Sequence, residues 1–266
     1  MAPAAKRTIT DESCMKNLPA FALLAALLLA TTSYTQAQSR NGGSAPRLDY
    51  EVRPTGLTTA FPTGHVCAPI ASAWGSQERF DNSTRLQNRN GGLHGGFDIS
   101  LQEGTPILAM ASGKVIAKGE GGMLEGIYLW LQHTPADTGL PYRAVVKYQH
   151  LSTMPRLNPG EPVNAGQIVA SSGLTGTVGR AFGPSGYPHL HVSLFVAAAT
   201  EPANLKVPPP DGKLSDPLLL FLPAHADVEN ISTLPDPAVR VAIVERDGRI
   251  EPAGSKVVWP VHCVQR

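Results

Sequence analysis

From Val66 onward the chain is cut by glycine, proline, asparagine or serine every few residues into apolar runs of four to seven. That punctuation confines it to a fold of short strands. The runs are Val66–Ser72, Phe97–Ser100, Pro106–Ala111, Lys114–Ala117, Ile127–His133, Ala144–His150, Gln167–Ser171 and His189–Phe195. Outside the N-terminal segment no stretch of 12 residues carries a period of 3.6, so the sequence predicts an all-β domain. Its 26 glycines and 24 prolines suit the many turns such a domain needs, including a hairpin tip at Arg246–Arg249. The 22 basic and 21 acidic residues leave a formal net charge of +1, which provides no field to attract nucleic acid or an anionic membrane. No nucleic-acid partner is expected.

The N-terminus reads as a targeting segment. Residues Ala20–Ala30 are unbroken apolar sequence, preceded by Lys16 and followed by a small and polar stretch to Gln38 in which Thr35–Ala37 forms a cleavage site. The run is shorter than the roughly 20 residues a spanning helix requires, so residues 1–37 are expected to be a signal peptide. An uncleaved anchor is the competing reading. Met15 begins a conventional signal by itself, and either Met1 or Met15 serves as the start. The mature chain is then expected to be exported, periplasmic or extracellular, with no stable membrane span after cleavage. Residues 38–64 read as a linker or N-terminal arm. Cleavage removes Cys14 and leaves Cys67 and Cys263, an even pair for which export favours an intramolecular disulfide over two buried thiols.

Eight histidines raise the question of which converge. In His94-Gly-Gly-Phe-Asp98, an imidazole and a carboxylate four residues apart flank two glycines that let the backbone turn both toward one point. In His189-Leu-His191, two imidazoles two residues apart on a strand share a face. Tyr148-Gln-His150 ends another strand. Two imidazoles and a carboxylate are a common catalytic zinc set, with a fourth position left for water. His65, His133, His225 and His262 have no spaced partners and read as solvated or structural.

The order of these three patterns, with Gly104–Val115, Tyr148–Ser152, Gly160–Gly176 and Pro188–His191 between and after them, resembles the lysostaphin/LytM-type zinc metallopeptidases of bacterial cell walls. The resemblance covers about residues 64–222. It implies a two-sheet, largely antiparallel LytM-like domain, a duplicated hybrid motif with a zinc groove. By position, His94, Asp98 and His191 correspond to the ligands of one zinc per chain, and His150 and His189 to the catalytic pair. Three departures stand out: the stretch between Trp74 and His94 is longer than usual, Gly183–Tyr187 lengthens the approach to His189, and Ser193 replaces a frequent glutamate. The resulting plan is a signal peptide (1–37), an arm (38–64), a metallopeptidase domain (65–222) and a C-terminal β extension (223–266) that the resemblance does not explain.

The ligand set favours attack of a metal-activated water on an amide, and the resemblance implies that the bond lies in peptidoglycan, in stem crosslinks or bridges. A fourth histidine ligand would close the site, so His150 and His189 are expected to move protons instead. A cupin-type site would need a glutamate where Leu194 and Phe195 stand, and a zincin would need H-E-x-x-H. The rival from another class is a non-catalytic wall-binding or amidase-activating protein on the same fold. Such relatives lack part of the metal set, whereas this chain keeps all five residues.

Overall fold

The computed structural model describes residues 52–85, 87, 90–178, 187–202, 205–226 and 237–266. The expected signal peptide and part of the expected arm lie outside the described residues. Strands β1 (Thr58–Ala60), β2 (His65–Val66) and β3 (Ile70–Ser72) precede β4 (Phe97–Ser100) and β5 (Pro106–Leu108). Next come β6 (Gly113–Glu120), β7 (Ile127–His133), β8 (Arg143–Leu151), β9 (Pro162–Val163) and β10 (Ile168–Ser171). They are followed by β11 (His189–Ala197), β12 (Lys213–Ser215), β13 (Ala238–Arg240), β14 (Ile243–Val244), β15 (Ile250–Glu251) and β16 (Val264–Gln265). Among the described residues the one α-helix is a single turn, Pro135–Thr138, and no helix is long and apolar enough to cross a membrane.

An eight-stranded sheet runs β3-β4-β11-β8-β7-β6-β9, with β12 also paired to β11. Its neighbours are antiparallel throughout. The remaining strands form four two-stranded sheets, of which β1–β13 is parallel. The all-β class read from the punctuation, and the largely antiparallel arrangement implied by the resemblance, are the ones observed. Alternation along the strands sorts the side chains. Phe97 and Ile99 on β4, and Leu190, Val192 and Leu194 on β11, are fully buried in the core, which leaves Asp98, His189, His191 and Ser193 on the opposite face.

The C-terminal extension belongs to this same core. Trp259 is fully buried, stacks on Phe97 at 5.3 Å between ring centroids, and donates from Nε1 to the carbonyl of Ala68. It therefore supports, from beneath, the strand that carries Asp98. Strand β16 pairs with β2, and the sulfurs of Cys67 and Cys263 lie within bonding distance there, 196 residues apart in sequence.

Candidate metal centre and groove

Three adjacent strands bring the five singled-out residues together. In the antiparallel register His191 on β11 stands opposite Asp98 on β4, and on its other side opposite Gln149 on β8, next to His150. His94 precedes β4 by a glycine pair. Gly96 passes so close to β11 that a Cβ there would lie 2.1 Å from the carbonyl oxygen of Val192. Only glycine permits this approach, which is why the motif takes that form.

Asp98 Oδ1 lies 2.8 Å from His191 Nδ1 and 3.1 Å from His94 Nε2, and those two nitrogens are 3.0 Å apart. The outer faces of both rings are committed. His94 Nδ1 lies 3.0 Å from the carbonyl oxygen of Ala73, which can only accept, so this nitrogen carries the proton. His191 Nε2 lies 2.9 Å from Ser193 Oγ, whose own proton goes to the carbonyl of Gly95, so Nε2 donates to the hydroxyl. Burial lowers the His191 pKa to about 4, against the pull of Asp98, and the ring is neutral at pH 7. Burial also works against ionisation of Asp98, but the imidazoles His94, His189 and His191 outweigh it and hold the carboxyl well below its usual range.

Three lone pairs thus face one another with their protons turned outward, an arrangement that favours a cation between them. Four donors on a tetrahedral zinc at about 2.0–2.1 Å stand about 3.3 Å apart, so the triangle needs to open by only about 0.3 Å. The outer hydrogen bonds to Ala73 and Ser193 are of the kind that fix the tautomer of metal-binding histidines. The donor set fits a zinc ion.

His150 and His189 flank this triangle. The β7–β8 register skips from Ile127↔Leu151 to Tyr128↔Gln149, which makes His150 the extra residue of a β-bulge, with φ of 64°. Without the bulge, alternation would send His150 into the core beside Tyr148; the bulge turns it into the groove with Gln149. Its Nδ1 lies 2.8 Å from the carbonyl oxygen of Thr175, and the Thr175 hydroxyl donates to Leu151 and accepts from the amide of Ile127, closing the bulge. Burial, with His189 and His191 adding to it, holds the His150 pKa well below its ordinary value. His189 Nδ1 lies 2.8 Å from the carbonyl oxygen of Tyr187, whose ring stacks on the imidazole, and His189 Nε2 lies 3.7 Å from Asp98 Oδ1. His150, neutral and with its proton on Nδ1, therefore keeps an unprotonated Nε2, and His189 turns its Nε2 toward Asp98.

A cleft of about 400 Å³ opens over these groups. Arg79, Arg85 and Tyr187 contribute to its lining, as do Trp130, Phe195 and Leu214. Lys147 pairs with Glu125 and lies over the rings of Tyr128 and Trp130. Of the lengthened Gly183–Tyr187 approach, only Tyr187 falls within the described residues.

Residues 92–204 match the profile of Peptidase family M23. This stretch is similar to the peptidase domains of the lysostaphin type. An uncharacterized metalloprotease of Haemophilus influenzae is 36% identical over 118 residues, which make up 43% of this chain and 21% of that protein. Lysostaphin of Staphylococcus simulans is 33% identical over 107 residues, 40% of this chain and 19% of its own length. The chain thus spans about a fifth of the length of these curated relatives. The solved catalytic domain of lysostaphin from Staphylococcus simulans is 28% identical, covering 51% of this chain and 85% of that one, with a TM-score of 0.37.

Among the remaining histidines, His65, His133 and His262 take structural places. His133 is buried, with Nδ1 2.7 Å from the carbonyl oxygen of Ser112, and His262 Nδ1 lies 3.2 Å from that of Val244. His225 is exposed. His65 has partners that its sequence surroundings did not reveal: Nε2 lies 3.0 Å from Glu245 Oε1 and 4.0 Å from Glu251 Oε2, while Arg249 takes the other oxygen of Glu245. Sequence reasoning also passed over Thr175, which has no local signature. Ser193 was noted only as a departure, although its place two residues beyond His191 on the same strand face was a usable signal.

Proposed function

We propose that the chain is an exported zinc metalloendopeptidase that hydrolyses peptide bonds in bacterial peptidoglycan, with His94, Asp98 and His191 holding one zinc per chain and His150 and His189 as catalytic residues. The observation that carries this reading is the triangle of three inward lone pairs beside two further imidazoles whose Nδ1 atoms are committed to backbone carbonyls. When bound there, zinc supplies Lewis acidity for the scissile carbonyl and lowers the pKa of a water toward 7. His150, kept neutral by burial and with its Nδ1 proton committed to Thr175, offers Nε2 as a proton acceptor at neutral pH. His189, oriented by the Tyr187 carbonyl and ring, offers its Nε2 on the same side as Asp98. In this reading the substrate peptide lies in the cleft that Arg79, Trp130 and Phe195 help to line.

The wall substrate draws support from the names of the relatives, lysostaphin and the glycyl-glycine endopeptidase ALE-1 of Staphylococcus capitis, the latter 34% identical over 106 residues. Export draws support from the apolar run Ala20–Ala30 and from the paired cysteines. In this plan residues 65–222 form the catalytic domain, and residues 223–266 brace it through Trp259. The test is mass spectrometry of fragments released from purified peptidoglycan by zinc-loaded protein. New peptide termini at a defined bond are expected. A chain holding about one zinc that releases nothing overturns the reading in favour of an amidase activator.

A further inference from the structure

We infer that Arg85 is a positioning residue for the proposed metal centre, holding the second oxygen of Asp98 so that only Oδ1 is presented to the cation. The inference rests on the metal reading above. Arg85 lies on the lengthened stretch between Trp74 and His94, where an isolated bridge between Glu78 and Thr84 folds the chain back toward β3. Arg79 braces this turn from within, donating to the carbonyl of Thr84 and the hydroxyl of Ser83. Arg85 Nη2 then reaches Ser72 Oγ at 2.7 Å and Asp98 Oδ2 at 3.4 Å, with only 17% of its side chain exposed.

Ser72 anchors this contact. It stands opposite Asp98 in the β3–β4 register, just past an irregularity that shifts the pairing from Ile70. Its hydroxyl donates to the carbonyl of Glu78 and therefore accepts from Arg85. The same hydroxyl lies 3.4 Å from His94 Nδ1, so one serine adjoins His94 directly and Asp98 through Arg85. One nitrogen, Nη2, makes both contacts, and the rigid guanidinium plane holds it between Ser72 Oγ and Asp98 Oδ2; an ammonium on a flexible stem is not held in the same way. Arg85 Nε is buried without a hydrogen bond among the described residues. Leaving that donor unmade is costly, and the charge-assisted contact with Asp98 offsets it.

The chemical consequence concerns the carboxylate. Free of Arg85, Asp98 can rotate to offer both oxygens and occupy the coordination position that a catalytic site keeps open. With Oδ2 engaged, it acts as a one-oxygen ligand.

The experiment measures zinc affinity of the full chain by competition with a chromophoric chelator, together with the thermal midpoint of the metal-free protein. Arg85→Ala should weaken zinc binding by roughly 10- to 100-fold, the usual effect of removing a partner of a metal ligand, and leave the metal-free midpoint unchanged. Arg85→Lys should recover part of the loss. If Arg85→Ala does not fold, Arg85→Gln, which can still bond Ser72 but lacks the charge, carries the same comparison. Wild-type affinity in the substituted protein overturns the inference while leaving the metal reading intact. So does a loss of affinity that merely tracks a lowered metal-free midpoint. A wild-type chain that binds no zinc overturns both.

Discussion

Gly96→Ala tests whether the close approach of β4 and β11 is what aligns the centre. The added Cβ would stand 2.1 Å from the carbonyl oxygen of Val192 and 2.8 Å from Cε1 and Nε2 of His191. Carbon and oxygen rest at about 3.3 Å or more, so the strands must part locally by about 1.2 Å. Val192 pairs with Phe97, one step from the His191–Asp98 pair, and no flexible side-chain tip is available to absorb the strain against the carbonyl. Overpacking of this kind costs about 1–3 kcal/mol, and each ladder hydrogen bond lost adds about 1 kcal/mol. The metal-free protein should therefore lose about 3 kcal/mol or more and bind zinc poorly. The neighbouring glycine is the control. A Cβ on Gly95 would meet the amide tip of Asn90 at 2.7 Å and a methyl of Leu214 at 3.3 Å, both able to move, so Gly95→Ala should cost less than about 1 kcal/mol. Urea unfolding of the metal-free variants reads the difference as a shift in midpoint at constant slope. Equal midpoints for the two variants would refute the steric argument.

His94→Ala and His191→Ala should lose zinc and activity together, whereas His150→Ala and His189→Ala should keep the metal and lose hydrolysis by about 100-fold or more, as read by metal analysis and peptide release. A metal-loaded His150→Ala enzyme at wild-type rate would reject that division. Cys67→Ser opens a loop of 196 residues, worth up to about 5 kcal/mol in the chain-entropy model, and a reductant should shift the wild-type urea midpoint in the same direction. Intact mass showing two free thiols in exported protein would reject the bridge. Burial lowers the pKa of His133 from 6.5, so below pH 6.5 the unfolded chain binds more protons than the folded one and stability falls with pH; above it that contribution is fully present. His133→Gln should flatten the loss of stability between about pH 7.5 and 5.5 in urea titrations, and an unchanged slope would exclude His133 as its source.

The strands were legible because glycine and proline mark their ends. Phe97–Ser100 and Ile127–His133 match the observed strands residue for residue. The run expected as one strand from Val66 to Ser72 is instead two, β2 and β3, because Pro69 between them has no amide hydrogen to give a ladder. Strands β6 and β11 run on to Glu120 and Ala197, past the apolar runs that announced them, since paired neighbours hold residues that local pattern would release. The shared face of His189 and His191 follows from strand alternation, whereas the convergence of His94 with Asp98 is permitted by the glycine pair and implied by the resemblance. The orientation of His150 does not, because alternation points it the wrong way and the bulge that corrects it depends on Thr175, 25 residues later. Arg85 and Trp259 were invisible for a related reason. Their partners, Asp98 and Phe97, are reached through a turn and across 162 residues of chain, and no short motif records such contacts.

Because Asp98, His150, His189 and His191 sit on neighbouring strands of one sheet, with His94 tied to β4 by a glycine pair, the sheet acts as a ruler. Adjacent strands keep about 4.8 Å, and alternate residues on one strand about 6.7 Å, whatever the side chains do. The donor triangle is adjustable only through side-chain rotation. First-row ions close to zinc in size can exchange there without moving the backbone, while a larger ion that demands six to eight oxygens finds neither the donors nor the room. The turn around Glu78–Thr84, which is not tied to that spacing, is free to change length and sequence. Variation in what the groove accepts can therefore accumulate in its walls while the dimensions of the centre stay fixed.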